Sequence, residues 1–171
     1  MASQSFLYYT RVPAVFGTLG LFSTARGICR VSLQENAFQD FFEKAVTASH
    51  IKPVRDDDRL QETARELENY FKGRIHKFRS KIDLGGMTPF QQRVLRVLLE
   101  IPYGTVRSYQ WVAGRIGNPP ACRAVGAACA ANPVPILVPC HRVIAKDGTL
   151  GGFSAGLQIK QRLLDLERGD L

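Results

Sequence analysis

A chain of 171 residues, 45% of them hydrophobic, can bury a core of its own and has room for one domain or two small ones. Its 23 lysines and arginines against 15 acids give a formal net charge of +8, which favours a polyanionic partner, with an anionic membrane surface as the rival. No stretch approaches the roughly 20 unbroken apolar residues of a membrane span, and cysteines at 29, 122, 129 and 140 follow neither secretory pairing nor a C-x-x-C knuckle, so a reducing cytoplasm is the simplest setting.

The first half opens with three β-favouring stretches, Phe6 to Val12, Val15 to Phe22 and Ile28 to Leu33, which predict a small antiparallel sheet. Arg11, the apolar run from Ala14 to Phe22 and Ser23-Thr24-Ala25 imitate a signal peptide. Pro13, Gly17, Thr18 and Gly20 interrupt that run and suit an edge strand and turn instead. Two amphipathic helices follow, around Asn36 to Val46 and from about Asp58 to Phe71. The second places Leu60, Ala64, Leu67 and Phe71 on one face, with three aspartates at its start and Gly73 at its end.

A short basic stretch, Arg74 to Lys81, leads into the linker Asp83-Leu84-Gly85-Gly86. Thr88-Pro89 then has the order of an N-cap and a first-turn proline, and Phe90, Val94, Val97 and Ile101 recur at helical spacing until Pro102 and Gly104 stop the helix. Helices at about Ser108 to Ile116 and Ala121 to Ala131, joined through Gly117-Asn118-Pro119-Pro120, make a helix-turn-helix pattern. The second is rich in Ala and Gly, which suits either a nucleic-acid groove or a tight helix seam.

The densest chemistry lies between Asn132 and Val143, where three prolines stiffen an apolar run that ends in Cys140-His141-Arg142. A thiol beside an imidazole and a guanidinium is the setting of a nucleophilic cysteine with a raised thiolate fraction, whereas a lone cysteine is as readily a buried packing residue.

Pro139-Cys140-His141-Arg142-Val143, with Asn132-Pro133 and Arg123-Ala124-Val125-Gly126 upstream, resembles the active-site region of the O6-alkylguanine-DNA alkyltransferases, a likeness running from Phe90 to Glu167 and weakly into Leu67 to Gly73. It implies an α/β plus α architecture. An N-terminal, ribonuclease H-like domain over 1–81 would hold the sheet, and a mostly helical, winged-helix-like domain over 82–171 would hold the helix-turn-helix and the acceptor.

The resemblance also implies roles. Cys140 would take the alkyl group irreversibly, His141 would draw its proton through a water, and Glu167 would orient His141. Read alone, Glu167 is an exposed helix-end glutamate. Asn132 would hold the cysteine loop, where by itself it is a turn residue before proline. Tyr109 would press on a phosphate and assist the departing O6. Arg123 would replace the extruded nucleotide in the stack, its plainer role being a phosphate clamp. Ala124, Gly126 and Ala127 would let the recognition helix enter the minor groove of double-stranded DNA with little sequence preference.

Gly151 to Leu157 would wall the base pocket, with Ser154 and the carbonyls of Cys140 and Val143 bonding the base. Phe153 stands where many members have tyrosine, which removes one hydroxyl near O6. Lys160 would sit close to Cys140, the alternative being a lysine on a solvated helix face. Cys29, His50 and His76 are too few for the structural zinc of some relatives, so no metal and no cofactor are expected. Cys122 and Cys129 read as packing residues, with a Cys122 accessible near the DNA surface as the alternative. The resemblance further implies a monomer, with cooperativity along DNA left open. A lesion sensor without transfer chemistry and a sequence-specific regulator are the competing functions; the intact motif around Cys140 and the Ala/Gly-rich recognition helix argue against each in turn.

Overall fold

The computed structural model describes residues 5–48 and 51–170, and the chain divides into two compact units, 1–83 and 84–171. The boundary falls two residues later than the sequence reading placed it. Ile82 bridges to Ile28, the Asp83 N–H donates to the Ile28 carbonyl (2.8 Å), and the Asp83 carboxylate accepts from Thr24 (2.7 Å).

In the first unit β1 (Ser5–Ala14), β2 (Gly17–Ser23) and β3 (Ile28–Ser32) pair antiparallel, as their composition predicts. A fourth strand, β4 (Ile51–Arg55), joins the far side of β1 in parallel, giving the order β3-β2-β1-β4 and making the sheet mixed. Its Pro53 is tolerated because β4 lies at an edge, where a missing N–H costs little. Helix α1 (Glu35–Thr47) covers one face, where Phe38 stacks on Phe22 with centroids 5.0 Å apart and Leu7 and Ala45 close the cluster. A Cβ on Gly20 would stand 2.2 Å from the Phe38 ring, so glycine is what lets the helix settle there.

Helix α2 (Asp57–Phe71) packs on β1 and buries Leu60, Leu67 and Phe71, together with Thr63 and Tyr70; Ala64 is only half-buried. Asp56 caps it by accepting from the Arg59 N–H (2.9 Å), and Gly73 ends it at φ 64°. Along β1, Leu7 and Tyr9 face α1 while Tyr8 and Thr10 reach Arg59 and Asp57 at the start of α2, so the two helices sit on opposite faces of the sheet.

The second unit is mostly helical. Thr88 and Gln91 form a reciprocal capping box ahead of α3 (Pro89–Leu98), which buries Val94, Leu95, Val97 and Leu98. The helix is shorter than the periodicity predicts: Ile101 is buried in the turn after it. Helix α4 (Tyr109–Arg115), capped by Ser108, and helix α5 (Cys122–Ala130) form the helix-turn-helix, with Gly117 at φ 75° in the turn. A two-residue parallel pair, β5 (Arg107–Ser108) with β6 (Val143–Ile144), ties its start to the residues that follow the cysteine. Helix α6 (Leu157–Arg168) completes the unit. No helix of the described residues is long and apolar enough to cross a membrane.

Candidate active site

Cys140 is held by a loop that is almost fully specified by short-range bonds. The Asn132 side chain accepts the Val134 N–H (3.0 Å) and donates to the Val138 carbonyl (2.9 Å) and to Cys140 Sγ (3.1 Å). Prolines 133, 135 and 139 restrict φ along the way. Ile136 is held at φ 75°, a conformation that costs a β-branched residue on the order of 1–3 kcal/mol and persists only where packing and bonding over-determine it. Here the side chain is buried, and the loop is closed by the Val138 N–H donating to Val134 O at 2.9 Å. Cys140–Arg142 then make a short 3-10 turn.

The Cys140 sulfur is buried, and burial pushes its thiol up to about 11 against the opposing pull of the Asn132 amide, the Lys160 charge and the backbone N–H groups of Cys140 and His141. This corrects the expectation of an enriched thiolate at neutral pH. The neighbouring guanidinium is turned away from sulfur onto Glu167, so desolvation wins and the resting group is a thiol. Those donors form a preset cradle for the negative charge once the proton leaves.

Behind the cysteine lies a network centred on Glu167, which is buried rather than solvated at its helix end. Its carboxylate pairs with His141 Nε2 (2.8 Å), accepts from Arg142 Nε and Nη2 (2.8 Å for the latter), and takes the Gly104 N–H (3.0 Å). Arg142 Nη1 also donates to the Ile101 carbonyl (2.6 Å). Burial alone would raise the Glu167 carboxyl, but the bonds and charges of His141 and Arg142 outweigh it and hold the group down to about 2. His141 is lowered by burial against the pull of Glu167, which makes it a neutral imidazole at neutral pH. With Nε2–H given to the carboxylate, Nδ1 is the ring's acceptor.

From the sequence Arg142 reads only as a charge beside the thiol and Gly104 only as a helix stop; their bonds to Glu167 are not legible there. Pro102-Tyr103-Gly104 signals a turn, and Gly104 does adopt φ 71°, but nothing there specifies a carboxylate 63 residues away. A Cβ on Gly104 would also stand 3.0 Å from the Glu167 carbonyl.

Lys160 is fully buried, which excludes the solvated helix face as its place. Its Nζ donates to the carbonyls of Val143 (2.6 Å), Gly152 (3.4 Å) and Leu150, strapping the loop before α6 to the strand after the cysteine. The Cys140 carbonyl accepts the Val143 N–H, so it and the Val143 carbonyl each keep one lone pair for a ligand.

A cavity of about 570 Å³, within the range of small-molecule sites, opens between Tyr109 of α4, Arg123 and Gly126 of α5, and Phe153 and Ser154 of the loop. Five residues chosen from the sequence thus meet around one space. Cys140 does not line it. Tyr109 does, and its hydroxyl is raised by burial and then by Cys129, against a bond that it takes from the Gly152 backbone, with Cys140 the smallest influence. Gly151 at φ 65° leaves the Tyr109 ring its place, since a Cβ there would lie 2.8 Å from the hydroxyl. Arg123, Ala124 and Ala127 are exposed along α5, while Val125, Ala128 and Cys129 face inward. Cys122 is half-buried and lines the cavity, which favours the accessible place held as its alternative over packing, while Cys129 is buried. Among the described residues no group of three or more His, Cys, Asp or Glu could hold a metal, and His50 lies outside them.

A helix-turn-helix unit that carries a buried thiol, backed by a histidine–carboxylate pair and with a cavity on the same unit, has the parts that a DNA-acting protein with a cysteine acceptor requires. Residues 7–84 match the family model of the 6-O-methylguanine DNA methyltransferase ribonuclease-like domain, and residues 89–169 match that of its DNA-binding domain. The chain is 41% identical over 170 residues to the inducible methylated-DNA–protein-cysteine methyltransferase of Bacillus subtilis, covering 93% of each chain. It is similar to the crystal structure of the Mycobacterium tuberculosis O6-methylguanine methyltransferase (TM-score 0.83, 36% identity, 96% of this chain and 94% of that one). A second structure, of Mycobacterium tuberculosis OGT in complex with DNA, matches at a TM-score of 0.78 with 36% identity, over 96% of this chain and 93% of that one. The chain belongs to the O6-alkylguanine-DNA alkyltransferase family.

Proposed function

We propose that this protein repairs DNA by direct reversal, moving the alkyl group of O6-alkylguanine, and of O4-alkylthymine, onto Cys140 in one irreversible turnover. The observation that carries the reading is the buried pair of arrangements around the cysteine: the Asn132 amide on Sγ and the His141–Glu167–Arg142 network beside it. The Cys140 proton passes through a water to His141 Nδ1, and Glu167 steadies the imidazolium that results. Sulfur attacks the alkyl carbon; the C–S bond forms as the C–O6 bond breaks, its electron pair leaving on oxygen, and Tyr109 donates a hydrogen bond or proton as the guanine is restored. The thioether is stable, so the protein is spent, and no cofactor enters.

In a duplex the alkyl carbon cannot meet a protein thiol in line, so the base is extruded into the cavity, at a cost on the order of a few kcal/mol. Arg123 fills the gap in the stack. The exposed Ala124 and Ala127, with Gly126, let α5 approach a minor groove, where readout is degenerate and binding is nearly sequence-independent. Ser154 and the Val143 and Cys140 carbonyls hold the base; Phe153 supplies a ring wall without a hydroxyl for O6. The protein acts as a monomer, and its four free cysteines suit a reducing cytoplasm.

The test is to incubate the protein with a duplex containing O6-methylguanine and weigh the Cys140 peptide. A gain of one methyl on Cys140 with restored guanine is expected; tight lesion binding with an unmodified peptide would instead make the protein a sensor. Cys140→Ser should lose transfer and keep its DNA affinity, because a hydroxyl ionises far less readily than a thiol.

A further inference from the structure

The basic stretch after α2 has no part in the alkyl-transfer site. Between residues 72 and 81 stand Lys72, Arg74, Lys77, Arg79 and Lys81 without a single acid. The segment is irregular but firmly anchored. Phe78 packs on Tyr70 with centroids 5.4 Å apart. Ser80 bonds Thr63 (2.6 Å) and Glu66 (2.6 Å), and Glu66 also takes the Arg79 and Ser80 N–H groups. Phe78 and Ser80 are half-buried, whereas Lys77, Arg79 and Lys81 are all exposed. Across a groove of about 720 Å³, α2 presents Arg59 and Arg65.

None of these five cations forms an ion pair among the described residues, whereas Arg11, Arg26, Arg55 and Arg115 each find a carboxylate. Asp58, Glu62 and Glu66 also line the groove, but Glu66 already accepts three hydrogen bonds. A pre-ordered row of unneutralised charge loses little entropy on meeting a regular polyanion, and the phosphate backbone is the regular polyanion that a DNA-repair protein meets.

We propose that the ridge of Lys77, Arg79 and Lys81, with Arg59 and Arg65 facing it, is a second nucleic-acid contact that binds backbone phosphates separately from the helix-turn-helix. It rests on the DNA-binding reading above and extends it to the first unit. Its role is sequence-independent affinity for long DNA, not the transfer step.

The test uses the full chain and an undamaged duplex of about 30 base pairs, with affinity measured from 50 to 200 mM salt. Lys77→Gln/Arg79→Gln should lower the slope of log affinity against log salt by about 2, so the fourfold rise in salt weakens this variant about tenfold less than the unsubstituted protein. Lys44→Gln/Lys52→Gln, which removes equally exposed charge elsewhere in the unit, should change the slope by less than half as much. Methyl transfer from a short lesion duplex at saturating concentration should be the same in all three proteins. An unchanged slope in the ridge variant overturns the proposal and leaves the ridge to an acidic protein surface. Equal slopes in the two variants overturn it too, in favour of net charge alone. Failure of transfer in the unsubstituted protein would sink the repair reading while leaving the slopes to decide the ridge.

Discussion

The two sides of the second unit follow opposite physical rules. Around Cys140 the polar groups are buried and bonded inside the protein: Asn132 to the thiol, Glu167 to His141, Arg142 and Gly104, Lys160 to the loop carbonyls. Across the cavity and along α5 the functional residues are exposed or half-exposed and make few bonds of their own; Arg123, Ala124, Ala127 and Ser154 all face solvent. Groups that perform chemistry are fixed before the substrate arrives, because a thiol and its base must keep their geometry within fractions of an ångström. Groups that meet DNA are left short or free, because their partner is supplied from outside. Stability should therefore be concentrated on the first side and recognition on the second.

The severest way to break this division is Arg142→Ala. It leaves the buried Glu167 carboxylate without its fork, and loss of one partner of a buried pair costs about 3–5 kcal/mol. For a chain of this size that lowers Tm by roughly 10 °C, measurable by calorimetry. Arg142→Lys keeps the charge but not the two-pronged geometry and should fall between the two. A loss below about 1 kcal/mol in the alanine variant would mean that the network is not what holds the site.

Acid should find the same weakness. Glu167 is held down to about 2 from an ordinary 4.5, so its contribution is fully present above pH 4.5 and is lost as pH falls toward 2, on the order of 3 kcal/mol in all. His141, lowered by burial, acts in the same direction from below its ordinary 6.5. Asp57 and Asp147 are also depressed, but they are exposed and solvent screening leaves them little weight. Denaturant melts at pH 6, 4 and 3 should show a steep decline that Glu167→Gln flattens; parallel curves would assign the acid sensitivity elsewhere.

How much of this could be read from the sequence follows the same division. Local devices were legible: Thr88 caps the helix that its order with Pro89 announced, Asp56 caps the helix that the three aspartates start, and Gly73 ends that helix. Strand β4 was not, because it is five residues long, carries Pro53, and earns its place only by pairing with Ser5–Tyr9 far back in the chain. Glu167 and Lys160 alone read as surface residues. Their burial is set by partners 25 and 17 residues away, which no local periodicity encodes, and only the family resemblance pointed to them. Tyr109, Arg123, Phe153 and Ser154 came from that resemblance too, and the cavity that they share exists only once α4, α5 and the loop are assembled.

On the recognition side, Arg123→Ala should leave the stability within about 0.5 kcal/mol of the parent, since the side chain is exposed, yet slow methyl transfer by hindering extrusion. An unchanged rate would remove Arg123 from the mechanism.

The smallest effect, and the sharpest for the division, is Gly126→Ala. Glycine inside a helix costs about 0.5–1 kcal/mol relative to alanine, and a Cβ here would meet only the Tyr109 ring at 3.8 Å, an ordinary contact. The substitution should therefore raise Tm by about 2 °C while adding a methyl group to a wall of the cavity. A more stable protein that transfers methyl more slowly would mean that α5 gives up helix stability for room to admit a base. A protein both more stable and equally fast would mean that Gly126 has no part in recognition, and the smallness of this helix face would then need another cause.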